Sequence, residues 1–334
     1  LYTMYYIERI TNMKKVITTL FGLFLFGTNT QAQTISGAGA TFPYPIYSKW
    51  ADEYKKQTNV TINYQSIGSG AGIKQIKAQT IVFCATDMSL TPEELEKDGL
   101  VQFPTVLGSI TIVYNLDGLD KQVVLDGPTL AKIYLGEITN WSDKRIETLN
   151  PNIKFPDLPI MTVYRSDGSG TTFVYTQYLS SVSEDWKTKI GSNTSVKFPL
   201  GVGGKGNEGV AATIKQIKGS IGYVEYAYVK QNKLTFTKLV NASGVVVEPN
   251  AKTFQAGNGI INNTERNAWP ITSLTYILIH KNTKDPKSAN ETLKFFEWAY
   301  KNGDNMALEL DYIPLSTETK TKVLTTEFSK VKVN

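Results

Sequence analysis

The stretch that decides the fold class covers residues 159–181 and reads PIMTVYRSDGSGTTFVYTQYLSS. Its first part, PIMTVYR, has the apolar and β-branched character of a strand, and TTFVYTQYLSS has that of a helix. Between them lies a polar turn of glycines and short hydroxyl side chains, with Arg165 just before it and Asp167 inside it. The stretch therefore predicts a strand that passes through a glycine turn into a helix.

The same plan occurs twice more near the beginning of the chain. TISGAGATF begins as a strand and passes into a helix whose apolar face includes Ile46, Trp50 and Tyr54. VTINYQ then alternates as a strand does, IGSGAG forms the turn, and IKQIKAQ starts the next helix. A further strand, IVFCATD, ends at Asp87. Short β-branched runs that alternate with longer amphipathic ones are typical of an α/β fold.

Turns of glycine plus serine or threonine thus stand at three predicted helix N-termini. The free amides of a first helical turn point outward, and the helix dipole adds partial positive charge there. Glycine lets the backbone approach a ligand closely, so such turns suit an anion. One turn of this kind is explained by an ordinary N-cap. Three of them, with Arg165 and Asp87 beside them, favour an anion site.

Length, charge and cysteine content exclude several classes of protein. A chain of 334 residues suits two domains. The formal net charge of +5 is modest, and the lysines are scattered along the chain, which indicates solvated helix faces and no nucleic-acid partner. The single cysteine, Cys84, excludes an internal disulfide and is interpreted as a packed core thiol. No cluster of His, Cys and carboxylates suggests a metal, and no cofactor is predicted.

The N-terminal region predicts export. Residues 13–15, MKK, are basic, and VITTLFGLFLFG follows as an apolar run. The run is about a dozen residues long, which is short for a membrane span but suits a secretory signal, and TQA supplies small residues before a cut. Residues 1–32 are therefore interpreted as upstream residues plus a signal peptide. Because no cysteine follows the run, we expect a soluble periplasmic protein without a lipid anchor.

Segments that carry a family resemblance extend over the mature chain. They include GAGATFPYPIYSKW, INYQSIGSGAGIKQI, YRSDGSGTTFVYTQYL and NAWPITSLTYILIHK. In this order they resemble the periplasmic phosphate-binding proteins of high-affinity phosphate ABC transporters, the PstS family. The resemblance implies a monomer that is not an enzyme, that binds inorganic phosphate and that delivers it to the membrane permease subunits of the transporter.

The resemblance also implies the architecture. The expected fold is α/β, the two-lobed periplasmic-binding-protein fold of type II, in which each lobe is a mixed sheet flanked by helices. The ligand lies in the cleft between the lobes, which two hinge crossings join. Residues 33–114 and 276–334 would form the first lobe, and residues 115–275 the second.

Matching the family's motifs one by one implies the ligand contacts. The residues expected to bind phosphate are Thr41, Phe42 through its backbone amide, Ser69, Asp87, Arg165, Ser169, Gly170 through its backbone, and Thr171. Asp167 is expected to hold Arg165 in place through a charge-assisted pair. The second turn departs from the family pattern, because Gly70 stands where a second serine is common and can offer only its amide.

Asp87 is the residue that sets the predicted selectivity. A carboxylate can only accept hydrogen bonds, so it tolerates an anion beside it only if that anion carries a proton. Phosphate keeps at least one proton at neutral pH and sulfate keeps none. We therefore expect Asp87 to accept a hydrogen bond from phosphate and to reject sulfate, whereas arsenate, with the geometry of phosphate, should be excluded poorly.

Two other functions stay open at this point. A secreted phosphatase could use Ser169 or Thr171 as nucleophile, but a serine nucleophile needs an adjacent base, and the sole histidine, His280, is interpreted as a strand-end residue. A binding protein for another tetrahedral oxyanion, such as sulfate or molybdate, is disfavoured by Asp87. GVGGKGNEG, residues 201–209, lacks the hydroxyl residue after Lys205 that a P-loop requires, and is interpreted as a structural turn near the cleft, with weak steering of anions by Lys205 as the alternative.

Overall fold

The computed structural model describes residues 33–119 and 121–333. The predicted upstream and signal segment, residues 1–32, lies outside the described residues. No helix in the described part of the chain combines the length and the apolar character needed to cross a membrane.

The described strands follow one another along the chain with short spacings. They are β1 (Thr34–Gly39), β2 (Thr61–Ser66), β3 (Phe83–Thr86), β4 (Leu100–Tyr114), β5 (Val124–Asp126), β6 (Met161–Arg165), β7 (Val202–Gly204), β8 (Ser220–Glu225), β9 (Thr235–Phe236), β10 (Lys238–Val240), β11 (Val246–Val247), β12 (Thr272–His280) and β13 (Ile313–Pro314).

Helices alternate with these strands and then dominate the C-terminal part. They are α1 (Tyr44–Thr58), α2 (Ser69–Lys77), α3 (Pro92–Asp98), α4 (Gly127–Leu135), α5 (Lys144–Leu149), α6 (Gly170–Val182), α7 (Glu184–Lys189), α8 (Gly206–Gln216), α9 (Tyr226–Asn232), α10 (Ala251–Gly257), α11 (Pro286–Asn302), α12 (Asp304–Glu309) and α13 (Thr317–Lys322). A short π-helical turn, Val323–Glu327, and a 3-10 turn, Phe328–Lys330, follow α13.

One continuous mixed sheet runs through the molecule in the order β2-β1-β3-β12-β4-β8-β6-β7. The strands on each flank are parallel, β1 with β2 and β3 on one side and β6 with β7 and β8 on the other. The central strands β12 and β4 pair antiparallel with each other and with their neighbours β3 and β8. A smaller sheet, β11-β10-β5, lies apart from this path. The predicted α/β class with mixed sheets is confirmed.

The long strand β4 links the two halves of the sheet. Its residues Leu100–Ser109 pair with β12, and Ile110–Tyr114 pair with β8. At the change of partner, the N–H of Ile110 donates to the carbonyl of Ile271 at 2.9 Å, and the indole N–H of Trp269 donates to the carbonyl of Ile110 at 2.8 Å. The outgoing and returning chains therefore lie side by side where the halves join. The predicted lobe boundaries, 114/115 and 275/276, stay predictions.

The helix α1 shows how sequence pattern produces packing. Pro45 lies in its first turn, where a missing N–H leaves no carbonyl unpaired. The predicted apolar face is confirmed, because Ile46, Trp50 and Tyr54 are all buried. Asn59 ends the helix in the left-handed region at φ 60°. This face packs against α11, where Tyr54 lies edge to face with two aromatic rings, and that contact holds the helix in place.

The three predicted strand–turn–helix units are present, with two boundaries to correct. The second helix was predicted from Ile73 but α2 begins at Ser69. Gly68, at φ 91°, turns the chain before it, so the glycines after Ser69 form the first helical turn instead of a loop. The strand β3 ends at Thr86, one residue before the predicted end at Asp87.

Candidate anion-binding site

The turn between β1 and α1 is held by residues from distant parts of the chain. Thr41 and Phe42 are both buried. The carbonyl of Thr41 accepts a hydrogen bond from the hydroxyl of Tyr228 at 2.6 Å, and that of Phe42 accepts one from the hydroxyl of Tyr312 at 2.6 Å. With both carbonyls paired, the turn is fixed with its polar groups inside the protein.

Arg165 ends β6 and is clamped by the carboxylate two residues later. Its Nε donates to Asp167 Oδ1 at 2.8 Å and its second guanidinium nitrogen donates to Oδ2 at 2.6 Å. The remaining nitrogen donates to Thr171 Oγ1 at 3.3 Å. Burial raises the pKa of Asp167, but Arg165 and the N–H of Gly206 outweigh it and hold the pKa below its usual range. The arginine side chain is only 1% exposed, so its planar guanidinium group is held in the protein interior, away from bulk water.

The N-terminus of α6 supplies the donors next to this arginine. Ser169 is the N-cap, and its hydroxyl oxygen accepts the N–H of Thr172 at 3.0 Å. Gly170 and Thr171 are the first helical residues, so their N–H groups precede the helix's own hydrogen bonds. All three residues of the turn, Ser169 to Thr171, are buried. The helix end therefore directs amides and partial positive charge into the interior.

Ser69 and Asp87 approach from the other half of the sheet. Ser69 begins α2 and is fully buried, and its Oγ lies 3.4 Å from the backbone nitrogen of Asp87. Asp87 is 3% exposed, and its Oδ1 accepts the hydroxyl of Thr275, on β12, at 2.8 Å. Its other oxygen, Oδ2, has no hydrogen-bond partner among the described residues. A buried carboxylate oxygen without a donor is costly and calls for a specific explanation.

The residues at the N-terminus of α6 lie in close contact with Ser69 and Asp87 from the other half of the sheet. A Cβ added at Gly170 would lie 2.5 Å from Asp87 Oδ2 and 2.6 Å from Ser69 Oγ. The N–H of Gly70 donates to the carbonyl of Gly168 at 2.9 Å, and a Cβ at Gly70 would lie 3.0 Å from the Cα of Gly168. The glycine at position 70 thus fits a place where two turns touch. Residues from both halves of the sheet thus meet at this buried point, and the contact of the predicted residues with phosphate stays a prediction.

The composition of this point is that of an anion site with one acceptor. Donors come from the guanidinium of Arg165, the first amides of α6 and the hydroxyls of the three turns. Among the described residues, Asp87 Oδ2 is a buried carboxylate oxygen that lies beside these donors and accepts no hydrogen bond from the protein. Such a site suits an oxyanion that brings at least one proton.

Comparison with known proteins identifies the family. A model of the PBP superfamily domain matches residues 26–302. The phosphate-binding protein PstS of Pasteurella multocida is 49% identical over 312 residues, which are 89% of this chain and 91% of the relative. The chain belongs to the PstS family of phosphate-binding proteins. A second relative, PstS of Xylella fastidiosa, is 50% identical over 300 residues, 86% of this chain and 82% of the relative.

Solved structures agree with the fold of a PstS-family protein. A phosphate binding protein from Stenotrophomonas maltophilia superposes with a TM-score of 0.63 at 21% identity, over 88% of this chain and 94% of that structure. At this identity the likeness concerns the fold alone. The family and the two-lobed periplasmic-binding-protein fold predicted from the sequence are confirmed.

Sequence reasoning missed several residues that build the site of this PstS-family protein. The structural turn predicted for residues 201–209 contains instead the strand β7 and the first residues of α8, and Asn207 there contacts both Thr41 and Thr171. The signal that could have found it is the glycine turn before a helix, the pattern used for the other turns. Thr275, which holds Asp87, lies in an ordinary strand sequence and carries no such signal.

A buried carboxyl lies behind the site. Glu225 ends β8 and is fully buried. Its Oε2 accepts the N–H of Ala227 at 2.8 Å and lies at hydrogen-bond distance, 2.9 Å, from the hydroxyl oxygen of Tyr312, whose own proton is donated to the carbonyl of Phe42. Burial raises the pKa of Glu225 well above its usual range, although those hydrogen bonds lower it. A neutral carboxyl is therefore favoured at this position.

His280 and Cys84, which were interpreted as structural residues, are both buried. The Nε2 of His280, at the end of β12, lies 2.7 Å from the carbonyl oxygen of Ile76, and Cys84 is fully buried. Burial raises the pKa of the Cys84 thiol. Within residues 33–119 and 121–333, no group of three or more His, Cys, Asp or Glu side chains is placed to hold a metal ion.

The charge state of Asp87 predicts a pH-dependent stability. Burial raises the pKa of Asp87 from 3.8 to about 7, although Thr275 and Arg165 lower it. Between these values the folded state holds a proton that the unfolded state has lost, so folding becomes less favourable as pH rises. The shift corresponds to a loss on the order of 4 kcal/mol, complete above pH 7. Asp87→Asn should remove this loss when unfolding is measured on ligand-stripped protein between pH 4 and 8.

Asp52 offers the matched control. It is an exposed carboxylate of α1, so Asp52→Asn should retain the loss of stability shown by the unmodified protein. If Asp87→Asn and Asp52→Asn show the same pH dependence of the free energy of unfolding, the Asp87 carboxyl is hydrated in the free protein. Its burial would then not govern the stability of the protein.

Proposed function

We propose that this protein binds inorganic phosphate in the periplasm and delivers it to the membrane permease of an ABC transporter. The observation that carries the proposal is Asp87 Oδ2, a buried carboxylate oxygen without a partner in the described part of the chain, facing buried donors. A protonated oxyanion satisfies both at once, since it offers oxygens to the donors and its proton to Asp87. Membership of the PstS family supports phosphate as that anion.

The ligands proposed are those expected from the sequence. They are Thr41, Phe42, Ser69, Asp87, Arg165, Ser169, Gly170 and Thr171, with Asp167 in support. Hydrogen bonds to a charged group each contribute about 1.5–3 kcal/mol. Several together exceed the roughly 8 kcal/mol of a micromolar complex and leave a surplus to offset desolvation and lost ligand motion.

Closure of the two lobes over the ligand completes the proposal. We retain the predicted division into residues 33–114 with 276–334 and residues 115–275. Contacts between these parts support a closed form: the hydroxyl of Tyr228 donates to the carbonyl of Thr41, and the hydroxyl oxygen of Tyr312 lies 2.9 Å from Glu225 Oε2. Ligand that touches both parts shifts the protein toward this form, because only there can all the donors share it.

Binding of phosphate with compaction is the expected result. Calorimetry on protein stripped of bound ligand should give micromolar or tighter affinity for phosphate at pH 8, where Asp87 is ionised, with similar affinity for arsenate and much weaker binding of sulfate. Small-angle scattering of the same sample should show a smaller radius of gyration after phosphate is added. Phosphate binding without compaction would contradict lobe closure, and no phosphate binding would contradict the function.

The proposed role is transport without catalysis. The relatives are named as binding proteins. The hydroxyl oxygen of Ser169 accepts the N–H of Thr172, an N-cap contact, while the only histidine bonds to the carbonyl of Ile76. Neither contact activates Ser169 as a nucleophile. Turnover of a simple phosphate monoester by pure protein, abolished by Ser169→Ala, would contradict this.

Export and monomeric delivery belong to the same proposal. The basic and apolar N-terminal segment supports secretion to the periplasm, followed by removal of the segment near Gln33. The protein would then act as a monomer that meets the permease subunits of the transporter, without nucleic acid, cofactor or metal.

A further inference from the structure

Asn207 forms hydrogen bonds with Thr41 and Thr171, two proposed ligand residues from opposite halves of the sheet. Its Nδ2 lies 2.6 Å from Thr41 Oγ1 and 3.2 Å from Thr171 Oγ1. Thr41 precedes α1, whereas Thr171 lies in the first turn of α6. Asn207 is 0% exposed, so these contacts are made without competition from bulk water.

A third contact fixes the orientation of the amide. The Oδ1 of Asn207 accepts the backbone N–H of Glu225 at 2.9 Å. A flipped amide would set its NH₂ group against that N–H, which leaves two donors facing each other. Both hydrogens of Nδ2 are therefore directed to the two threonine oxygens.

The contacts of Asn207 help to fill both acceptor sites of each threonine hydroxyl. A hydroxyl oxygen can accept two hydrogen bonds and donate one. Thr41 Oγ1 accepts from the backbone N–H of Asn207 at 3.1 Å and from its Nδ2. Thr171 Oγ1 accepts from the guanidinium of Arg165 at 3.3 Å and from Asn207 Nδ2. Each oxygen is thus saturated as an acceptor, and each hydroxyl can make a further bond only by donating its proton.

We propose that Asn207 is a positioning residue that keeps the hydroxyls of Thr41 and Thr171 as donors toward the bound oxyanion. The inference rests on the proposed phosphate binding, and it assigns to Asn207 part of the selectivity for where the ligand carries its proton. An unprotonated ligand oxygen fits against both threonines, whereas a protonated one does not. The proton of the ligand is thereby directed to Asp87, whose Oδ2 is open to accept it.

A set of mutant cycles tests whether Asn207 acts through the hydroxyls. Loss of one positioned donor should weaken phosphate binding about tenfold or more in Asn207→Ala, Thr41→Val and Thr171→Val, as measured by calorimetry on full-length, ligand-stripped protein. In the Thr41→Val background, and again in the Thr171→Val background, Asn207→Ala should cause a smaller loss than in the unmodified protein. Equal losses in all three backgrounds would overturn the inference.

The isosteric variant Asn207→Asp separates the donor role from a structural one. It keeps the oxygen that accepts from Glu225 but removes both donors, and the threonines can then donate to the new carboxylate. We expect it to weaken phosphate binding more than Asn207→Ala while the protein stays folded by circular dichroism. Binding equal to that of the unmodified protein would overturn the inference.

Asn115, which directly follows β4, supplies the matched control because its side chain holds the other end of the same helix. Its Nδ2 donates to the carbonyl of Ile214 at 2.7 Å, at the other end of α8. Asn115→Ala should leave phosphate affinity unchanged even if thermal stability falls. An equal loss in Asn115→Ala and Asn207→Ala would show that helix placement is responsible and would overturn the inference. Failure of the unmodified protein to bind phosphate would instead overturn the proposed function.

Discussion

Replacing Arg165 by alanine is expected to abolish most phosphate binding. Of the five N–H donors of a guanidinium, two are used by Asp167 and one by Thr171, which leaves two for the ligand. Two charge-assisted bonds contribute about 3–6 kcal/mol, so the dissociation constant should rise by roughly 100-fold to 10,000-fold. The variant also leaves the carboxylate of Asp167 without its partner near the anion, which adds repulsion. Calorimetry with inorganic phosphate measures the change.

Arg145 is the control for this prediction. It pairs with Asp143 at the same two-residue separation, but its side chain is 42% exposed, whereas that of Arg165 is 1% exposed. Exposed pairs contribute little, so Arg145→Ala should leave both phosphate affinity and folding unchanged. An Arg165→Ala protein that is folded by circular dichroism and binds phosphate within tenfold of the unmodified protein would contradict the role of Arg165.

Asp87→Asn is expected to change which anion is accepted. In the unmodified protein a fully unprotonated anion meets the lone acceptor Asp87 Oδ2, and a buried charge without compensation costs several kcal/mol. Asparagine removes the charge and can donate, so sulfate affinity at pH 8 should rise at least about tenfold. The ratio of phosphate to sulfate affinity, measured by calorimetry, should fall accordingly.

This selectivity prediction depends on the position of the carboxylate and not on net charge. Asp52→Asn changes the net charge equally from an exposed face of α1 and should leave the ratio as it is. Equal affinities for sulfate and phosphate in the unmodified protein, or an unchanged ratio in Asp87→Asn, would contradict the assignment of Asp87 as the acceptor.

Local chemistry made much of the site predictable. The turns before α1, α2 and α6 combine glycine with a hydroxyl residue, and a helix N-terminus offers free amides wherever it occurs. Arg165 and Asp167 are separated by one residue, so their pairing is a property of the turn itself. Asp87 follows directly after β3, and a strand end is where a polar side chain can leave the sheet. Each of these features depends on a few neighbouring residues.

The start of α2 shows the limit of local reasoning. Glycines at positions 70 and 72 indicated a longer turn because glycine lowers helix propensity. In the fold their lack of side chains is needed for contact: a Cβ at Gly72 would lie 2.5 Å from the Cα of Gly39, and one at Gly70 would crowd Gly168. Tertiary packing therefore outweighs propensity there.

The amino-acid sequence by itself determined the class of fold, the turns that face the site and the identity of its charged groups, because these follow from short-range backbone and side-chain chemistry. The tertiary structure alone decided what holds those groups. Asn207 reaches Thr41 across 166 positions, and Thr275 reaches Asp87 across 188. Hydrogen bonds over such separations form only after the sheet has brought β3 beside β12 and the helices α1 and α8 together, so no local pattern records them.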